Sequence, residues 1–312
     1  MFGYCLRRLA RCVAAMFFVT LFSFAMLYLA PGDPALVLLA QRGVEPDTIS
    51  LRAARQELGL DAPVAVRYAR WLADTATGDW GRSYHQPRTV AQEVRRALPL
   101  TLQLAGAAAC LAFFSALVLG TLAAYRDGGA AKRCVSFFSV LGASIPPYWL
   151  ALTLVYFFAV RLGVLPSLGT EGVKGAILPV VSLAFTPFAV HARILAVALR
   201  ADTDTEYVRF AKSTGLTDWQ ILLRHRLKKG LIPMLTSFGA AFGALLGGSV
   251  VIESIFAWPG MGSLAVDAIF NRDYPLIQGY VLVMAAIYTT TNFLTDMGCA
   301  MLDPRIRQGR AA

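Results

Sequence analysis

Charged residues are scarce: Asp, Glu, Lys and Arg make up 15% of the 312 residues, while 57% are hydrophobic. Soluble domains carry about 25% charge, and a water-soluble fold this apolar would have nowhere to put the excess. That scarcity excludes a disordered chain and disfavours a soluble enzyme or a nucleic-acid binder. Cysteine is sparse too. Cys5, Cys12, Cys110, Cys134 and Cys299 show no C-x-x-C spacing, which excludes a zinc ribbon and argues against a disulfide framework. The three histidines, His85, His191 and His225, fall in separate regions and define no metal site. Catalytic signatures are missing as well: there is no G-x-x-x-x-G-K-[ST], no H-E-x-x-H, no G-x-S-x-G and no EF-hand loop. The chain therefore splits no ATP through a Walker A loop of its own, and nothing in it calls for a cofactor.

What is abundant is long apolar runs. A spanning helix needs about 20 apolar residues, since the hydrocarbon is roughly 30 Å thick and each residue rises about 1.5 Å. Six stretches qualify: 12–30, 97–125, 134–160, 175–192, 230–252 and 274–295. The first follows Arg7, Arg8 and Arg11 like a secretory leader. Its apolar run is too long for a typical h-region, and Pro-Gly-Asp-Pro follows without an A-x-A cleavage site, so it reads as an uncleaved first helix. Prolines 99, 146, 147, 179, 187 and 233 are expected mainly near span ends. The class is all-α, a polytopic membrane protein with six transmembrane helices.

Net charge is +10, and its location matters more than its size. The intervals 1–11, 126–133, 200–229 and 303–312 hold 16 Lys/Arg against 6 Asp/Glu, while the opposite intervals 31–96, 161–174 and 253–273 hold 12 of each. One face thus carries the whole net charge, and the positive-inside rule assigns it to the cytoplasm, with both termini. The basic balance is topology, and no nucleic-acid partner is implied.

Two polar segments look folded. In 31–96, Asp33 then Pro34 has the pattern of a cap followed by a first-turn proline. Asp47 opens a second helix with Leu51, Ala54 and Leu58 on helical spacing and Gly59 as its stop. Pro63 opens a third, through Trp71, ending near Gly78. Thr89 with Gln92 has capping-box spacing into the second span. In 200–233, Tyr207, Phe210, Ala211 and Thr214 recur at helical intervals and Gly215 ends that helix. Thr217 and Gln220 then open a second short helix carrying Trp219, Leu222 and Leu223, with Arg224, Arg226, Lys228 and Lys229 toward its end, where cations suit the dipole and anionic lipid headgroups. This loop reads equally as a basic interfacial element or a docking element for a cytoplasmic partner. In the fifth span Gly239, Gly243 and Gly247 repeat on one face, suited to close helix contact or to a pathway wall.

These segments also carry a family resemblance. Arg7-Arg8, Leu29-Ala-Pro-Gly-Asp-Pro34, Gly78-Asp-Trp-Gly-Arg-Ser83, Ala211-x-x-x-Gly215-Leu216, Arg224-His225, Ile232-Pro233, Glu253-x-Ile-Phe-x-Trp258-Pro-Gly-Met-Gly262, Arg272-Asp-Tyr-Pro275 and Leu302-Asp-Pro-Arg-Ile-Arg307 together resemble the permease subunit of a binding-protein-dependent ABC importer, in its peptide/nickel branch. One departure stands out: the superfamily's coupling loop begins Glu-Ala-Ala, and here it reads Arg209-Phe210-Ala211, which reverses the charge of any contact through position 209.

The resemblance implies a type I ABC importer permease fold. Residues 1–98 would form a first helix and an extracytoplasmic helical segment, 99–304 the core with a coupling loop at about 200–230, and 305–312 a cytoplasmic tail. It implies a bacterial inner-membrane subunit partnered by a second, homologous permease, two cytoplasmic ATPases, an extracytoplasmic substrate-binding protein and membrane lipid. Transport would proceed by alternating access. Coupling to the ATPase would fall to Arg209, Ala211, Gly215, Leu216, Thr217, Trp219 and Leu222. Ser144, His191, Gly243, Gly247 and Ser249 are candidates for the pathway. Ser144-Ile-Pro-Pro-Tyr-Trp149, Ala189-Val-His-Ala-Arg193 and Ile269-Phe-Asn-Arg-Asp-Tyr-Pro275 look closest to nickel members, so nickel or a nickel chelate is the expected cargo, with di- and oligopeptides or glutathione the alternative. A self-sufficient secondary transporter or channel is the competing class, disfavoured because only Arg193 and Asp296 lie near span ends.

Overall fold

Apolar runs this long have one way to hide their backbone groups in lipid, which is to become helices. The computed structural model describes residues 2–29, 33–125, 129–169, 172–201 and 205–302, and among them helices account for every named element. The long helices are α1 (Phe2–Leu29), α5 (Val90–Tyr125), α8 (Gly172–Ala201), α11 (Leu227–Ile255) and α13 (Tyr274–Leu302). Between α1 and α5 lie the short α2 (Pro34–Gln41), α3 (Thr48–Glu57) and α4 (Val64–Thr77). Next come α6 (Ala130–Ser144) and α7 (Pro147–Leu154), then α9 (Glu206–Ser213) and α10 (Asp218–Ile221) between α8 and α11, and α12 (Met261–Phe270) before α13. The tail signature from Asp303 to Arg307 lies outside the described residues.

Four single helices are long and apolar enough to cross a bilayer. The third expected span, 134–160, is not one straight helix. The chain bends by 106° between α6 and α7, making this pair at most a broken span. Its cause is local: Pro146 forces Ile145 into an extended conformation (φ −91°, ψ 118°), and Pro147 starts the next helix. Hydropathy cannot see this break, because the apolar run continues through it. The other interior prolines, Pro99, Pro179, Pro187 and Pro233, are absorbed inside helices. At 29 residues α13 is about 43 Å long, enough to cross, although Thr289–Thr291 and Asn292 dilute its apolar face.

Lipid tails give apolar helices no reason to associate, so packing rests on close approach of small residues. The broadest contact is between α5 and α8. Ala108, Ala112 and Ala116 of α5 are fully buried and cluster with Ala184, Ala192 and Ala196 of α8. A side chain on Gly120 would strike the Ala192 carbonyl and Leu195, and one on Gly142 would strike Ala189. Gly239 and Gly243 of α11 receive Thr295 and Tyr288 of α13, whereas Gly247 has open space beside it. Near their ends, α1 and α13 are joined by an Arg8–Asp296 ion pair. The start of α1 and the end of α13 therefore share one end of the bundle.

Candidate functional site

The end of the bundle where α5 finishes and α11 begins carries the α9–α10 loop. Its local signals are read by the chain as expected. Thr217 Oγ1 accepts from Gln220 N (3.3 Å) while Thr217 N donates to Gln220 Oε1 (3.0 Å), and Gly215 takes φ +86°, a value ordinary side chains rarely adopt. The buried face of α9 differs from expectation. Val208 and Ala211, with Ile221 and Leu216, form a small core of their own, so Tyr207, Phe210 and Thr214 turn outward. Phe210 is 67% exposed. A helix of eight residues has room for one buried stripe, and the small Ala211 sets which one lets α10 approach.

Several contacts hang this loop from the bundle, Lys229 of α11 over the Tyr207 ring among them. Trp219 packs edge-on against Tyr125 at the end of α5, ring centroids 4.9 Å apart. Leu222 is 1% exposed and lies in the core with Leu195, Leu199 and Met234, which makes it a link to the helices rather than an outer contact. Between α10 and α11 the turn Leu222–Arg226 widens to π-helical pitch, and buried Arg226 donates through Nε to the Leu199 carbonyl at 3.0 Å. That bond satisfies an end carbonyl of α8 with a cation, the favoured sign at a helix C-terminus. Tyr207 and His225 share a hydrogen bond across the two arms, and Lys212 pairs with Asp218 at 2.8 Å. Arg209 and Thr217 stand exposed. The outcome is a stiff two-helix prong whose outer surface mixes Phe210, Trp219 and Leu223 with basic residues.

The opposite end is fastened by two buried carboxylates. Glu253, 0% exposed, accepts from the Thr101 hydroxyl (2.8 Å), Gly262 N (2.7 Å) and Ser263 N (3.2 Å). It therefore caps the N-terminus of α12 from the last turn of α11. Thr101 also accepts from Met261 N at 2.7 Å, and Trp258 donates to the Leu100 carbonyl at 3.0 Å. Any side chain on Gly260 would collide with Glu253 and Thr101. Asp273, 1% exposed, caps α13 through Leu276 N (3.3 Å) and gathers Ser83 Oγ, Tyr84 N (3.1 Å) and His85 N (3.3 Å). Two motifs nearly 200 residues apart thus meet in one clamp. Sequence reasoning quoted both motifs and missed the clamps, because their partners are remote in sequence. Glu253 was placed just beyond its span, where no cost of burial is apparent.

The pathway candidates differ in burial. Ser144 and Gly247 are exposed, and Gly243 faces Tyr288. Ser249 is fully buried and donates to the Leu246 carbonyl at 2.8 Å. His191 is buried; its Nδ1 meets the Pro187 carbonyl at 2.6 Å and its ring lies edge-on to Phe238. Nε2 of His191 is buried without a partner. Among the described residues no group of three or more His, Cys, Asp or Glu could hold a metal ion.

The class of protein is defined by comparison with known families. A family described as "Binding-protein-dependent transport system inner membrane component" matches residues 116–308, and its N-terminal companion matches residues 1–105. The chain belongs to this family of ABC-importer permeases, and is a membrane transport subunit rather than a catalyst. It is 35% identical to a probable peptide ABC transporter permease of Sinorhizobium fredii, over 97% of this chain and 99% of that one. It is 34% identical to a di/tripeptide transport system permease of Pseudomonas aeruginosa (99% and 100%) and 33% identical to a glutathione transport system permease of Escherichia coli (98% and 99%). In fold it is similar to a chain of the MetNI methionine ABC transporter, with TM-score 0.56, 22% identity, 68% of this chain and 97% of that one covered. The expected type I permease architecture is therefore the one the chain adopts.

Proposed function

We propose that this chain is the permease subunit of an ATP-driven importer of short peptides, including glutathione-like ones. The observation that carries the reading is near full-length similarity to permeases named for peptides, di/tripeptides and glutathione. These names favour the peptide alternative over nickel, which rested on three short stretches. The chain works with a second permease, two cytoplasmic ATPases and a substrate-binding protein, and lies in the inner membrane with both termini cytoplasmic. The charge division supports that orientation, as does the shared end of α1 and α13.

In this reading the α9–α10 prong is the ATPase contact. Phe210, Trp219 and Leu223 supply apolar area, Arg209 supplies charge, and Gly215, Leu216 and Thr217 hold the elbow. Ala211 and Leu222 act from beneath: Ala211 joins the arms, and Leu222 passes movement of the prong to α8 and α11. When ATP closes the ATPase pair, the prong is displaced and the packed helices follow, opening the membrane cavity alternately to each side. Small-residue contacts, α5 on α8 and α11 on α13, let whole helices shift as units.

Uptake of radiolabelled dialanine and glutathione, compared in cells with and without this gene, tests the cargo. Loss of peptide uptake with unchanged nickel uptake is the expected result. Unchanged peptide uptake with lost nickel uptake would reverse the assignment.

A further inference from the structure

Beside the Asp273 clamp, α4 leans over the outer ends of α1 and α13 and encloses a cleft of about 730 Å³. Small-molecule sites run from about 300 to 1,000 Å³, so a di- or tripeptide is of the right size. One face of α4 supplies its wall: Arg67, Arg70, Trp71 and Asp74 fall at helical positions i, i+3, i+4 and i+7 and all line it. Trp80, Tyr84 and Tyr274 stand around it. Tyr84 and Tyr274 meet edge-on at 6.4 Å, and burial pushes the Tyr84 phenol up to about 12, so it stays neutral there.

Besides Asp61, Arg67 and Asp79, which also line the cleft, its charges fall into two groups. At its edge Asp33 is closed by Arg55 at 2.6 Å and Glu57 by Arg42 at 2.6 Å. On α4, by contrast, Arg70 and Asp74 enter no ion pair among the described residues. They are four residues apart on one face, a spacing at which opposite charges reach each other. Both line the cavity, as do Trp71 and Trp80. A ligand with one ammonium and one carboxylate would complete both charges at once.

We propose that this cleft is a permease-side binding site for a short peptide zwitterion, in which Asp74 receives the α-ammonium, Arg70 receives the carboxylate, and Trp71 and Trp80 flank the side chains. The proposal rests on the peptide reading above. Aromatic walls accept many side chains, while the charged pair recognises what every short peptide shares. Such a site would hold cargo at the outer mouth without selecting among sequences. An ethanolamine phospholipid headgroup carries the same pair of charges and is the competing source.

The test uses the permease assembled with its partner subunits in phosphatidylglycerol nanodiscs, with the binding protein left out. Saturable binding of radiolabelled dialanine is expected, with no competition from N-acetyl-dialanine amide, which lacks both charges. Asp74→Asn and Arg70→Gln should each weaken binding about tenfold or more, as expected for loss of one charge-assisted contact. Both residues are exposed, and matched thermal melts would confirm that the variants fold. The proposal is overturned by absent binding in the wild type or by wild-type affinity in both variants. It is overturned as well if phosphatidylethanolamine nanodiscs abolish dialanine binding, which would assign the cleft to the headgroup. If deleting the gene abolishes dialanine uptake while the purified complex binds none, this inference fails and the peptide reading stands. If deletion leaves uptake intact, the peptide reading itself fails.

Discussion

The two ends of the bundle solve the same problem, how to fix short helices onto long ones, in opposite ways. At the α12 end, Glu253 and Asp273 are buried acceptors, each serving at least three donors drawn from two separate segments of the chain. Removing such an acceptor strands buried donors, each at about 1–3 kcal/mol, so this end is built not to move. At the α9–α10 end, a buried arginine, a buried leucine, a ring contact and Lys229 over the Tyr207 ring do the holding among the described residues, and the outer surface is left exposed. Elements with few buried contacts open or shift at lower cost. On the function proposed above, the difference separates a fixed frame at one end from a lever for the ATPase at the other.

Several substitutions sharpen or break that contrast. Glu253→Ala should have the largest effect, lowering stability by roughly 3 kcal/mol or more by stranding Thr101, Gly262 N and Ser263 N. Loss of the monodisperse peak on gel filtration, or a clearly lower melting temperature in detergent, would register it. Glu253→Gln keeps one acceptor and should fall between. An unchanged melt in Glu253→Ala would mean that the frame does not depend on its buried carboxylate.

Next comes Gly243→Leu, which drives a side chain into Tyr288 and should cost about 1–3 kcal/mol. Gly247→Leu, facing open space, should melt like the wild type. Equal melts for the two would place the α11–α13 contact elsewhere. At the lever, Gly215→Pro, whose ring cannot take φ +86°, and Trp219→Asp should distort the prong locally, leave the complex assembled, and abolish uptake while ATP hydrolysis continues. Wild-type transport in an assembled complex would remove the prong from the coupling path.

The smallest effect concerns the surface pairs of α2 and α3. Hydrogen bonding to Arg55 holds the Asp33 carboxyl below its ordinary value, and Arg42 does the same for Glu57. A depressed carboxylate stabilises the fold above the ordinary value and loses that contribution as pH falls through the folded-state value. Acid below about pH 4 should therefore loosen α2–α3 by less than about 1 kcal/mol per pair. Melts at pH 3 and pH 6 would show it, and Asp33→Asn should shrink the difference.

Local signals were legible in the sequence because they close within a few residues. Asp47 caps α3 with Ser50, Thr89 pairs with Gln92, and Thr217 pairs with Gln220; Gly78 ends α4 in the left-handed region. The apolar runs located every long helix. What escaped was set by geometry that spacing does not encode. The bend at Pro146 sits within an unbroken apolar run. The most extensive helix contact runs along alanines of α5 and α8, which are less conspicuous than the glycines of α11. Phe210 looked like a buried position at helical spacing, yet the short α9 buries Val208 and Ala211 instead. Glu253 and Thr101 are 152 residues apart, beyond the reach of any motif.

The central claim, that the outward face of the α9–α10 prong meets the ATPase, is most directly tested by cross-linking in membranes. Phe210→Cys, made in a chain whose native cysteines are replaced, should form a cross-link to the ATPase subunit that changes in yield when ATP is trapped. Gln56→Cys, in the frame at the other end of the bundle, should form none. A cross-link from Gln56→Cys and none from Phe210→Cys, in a complex that still transports, would contradict the account.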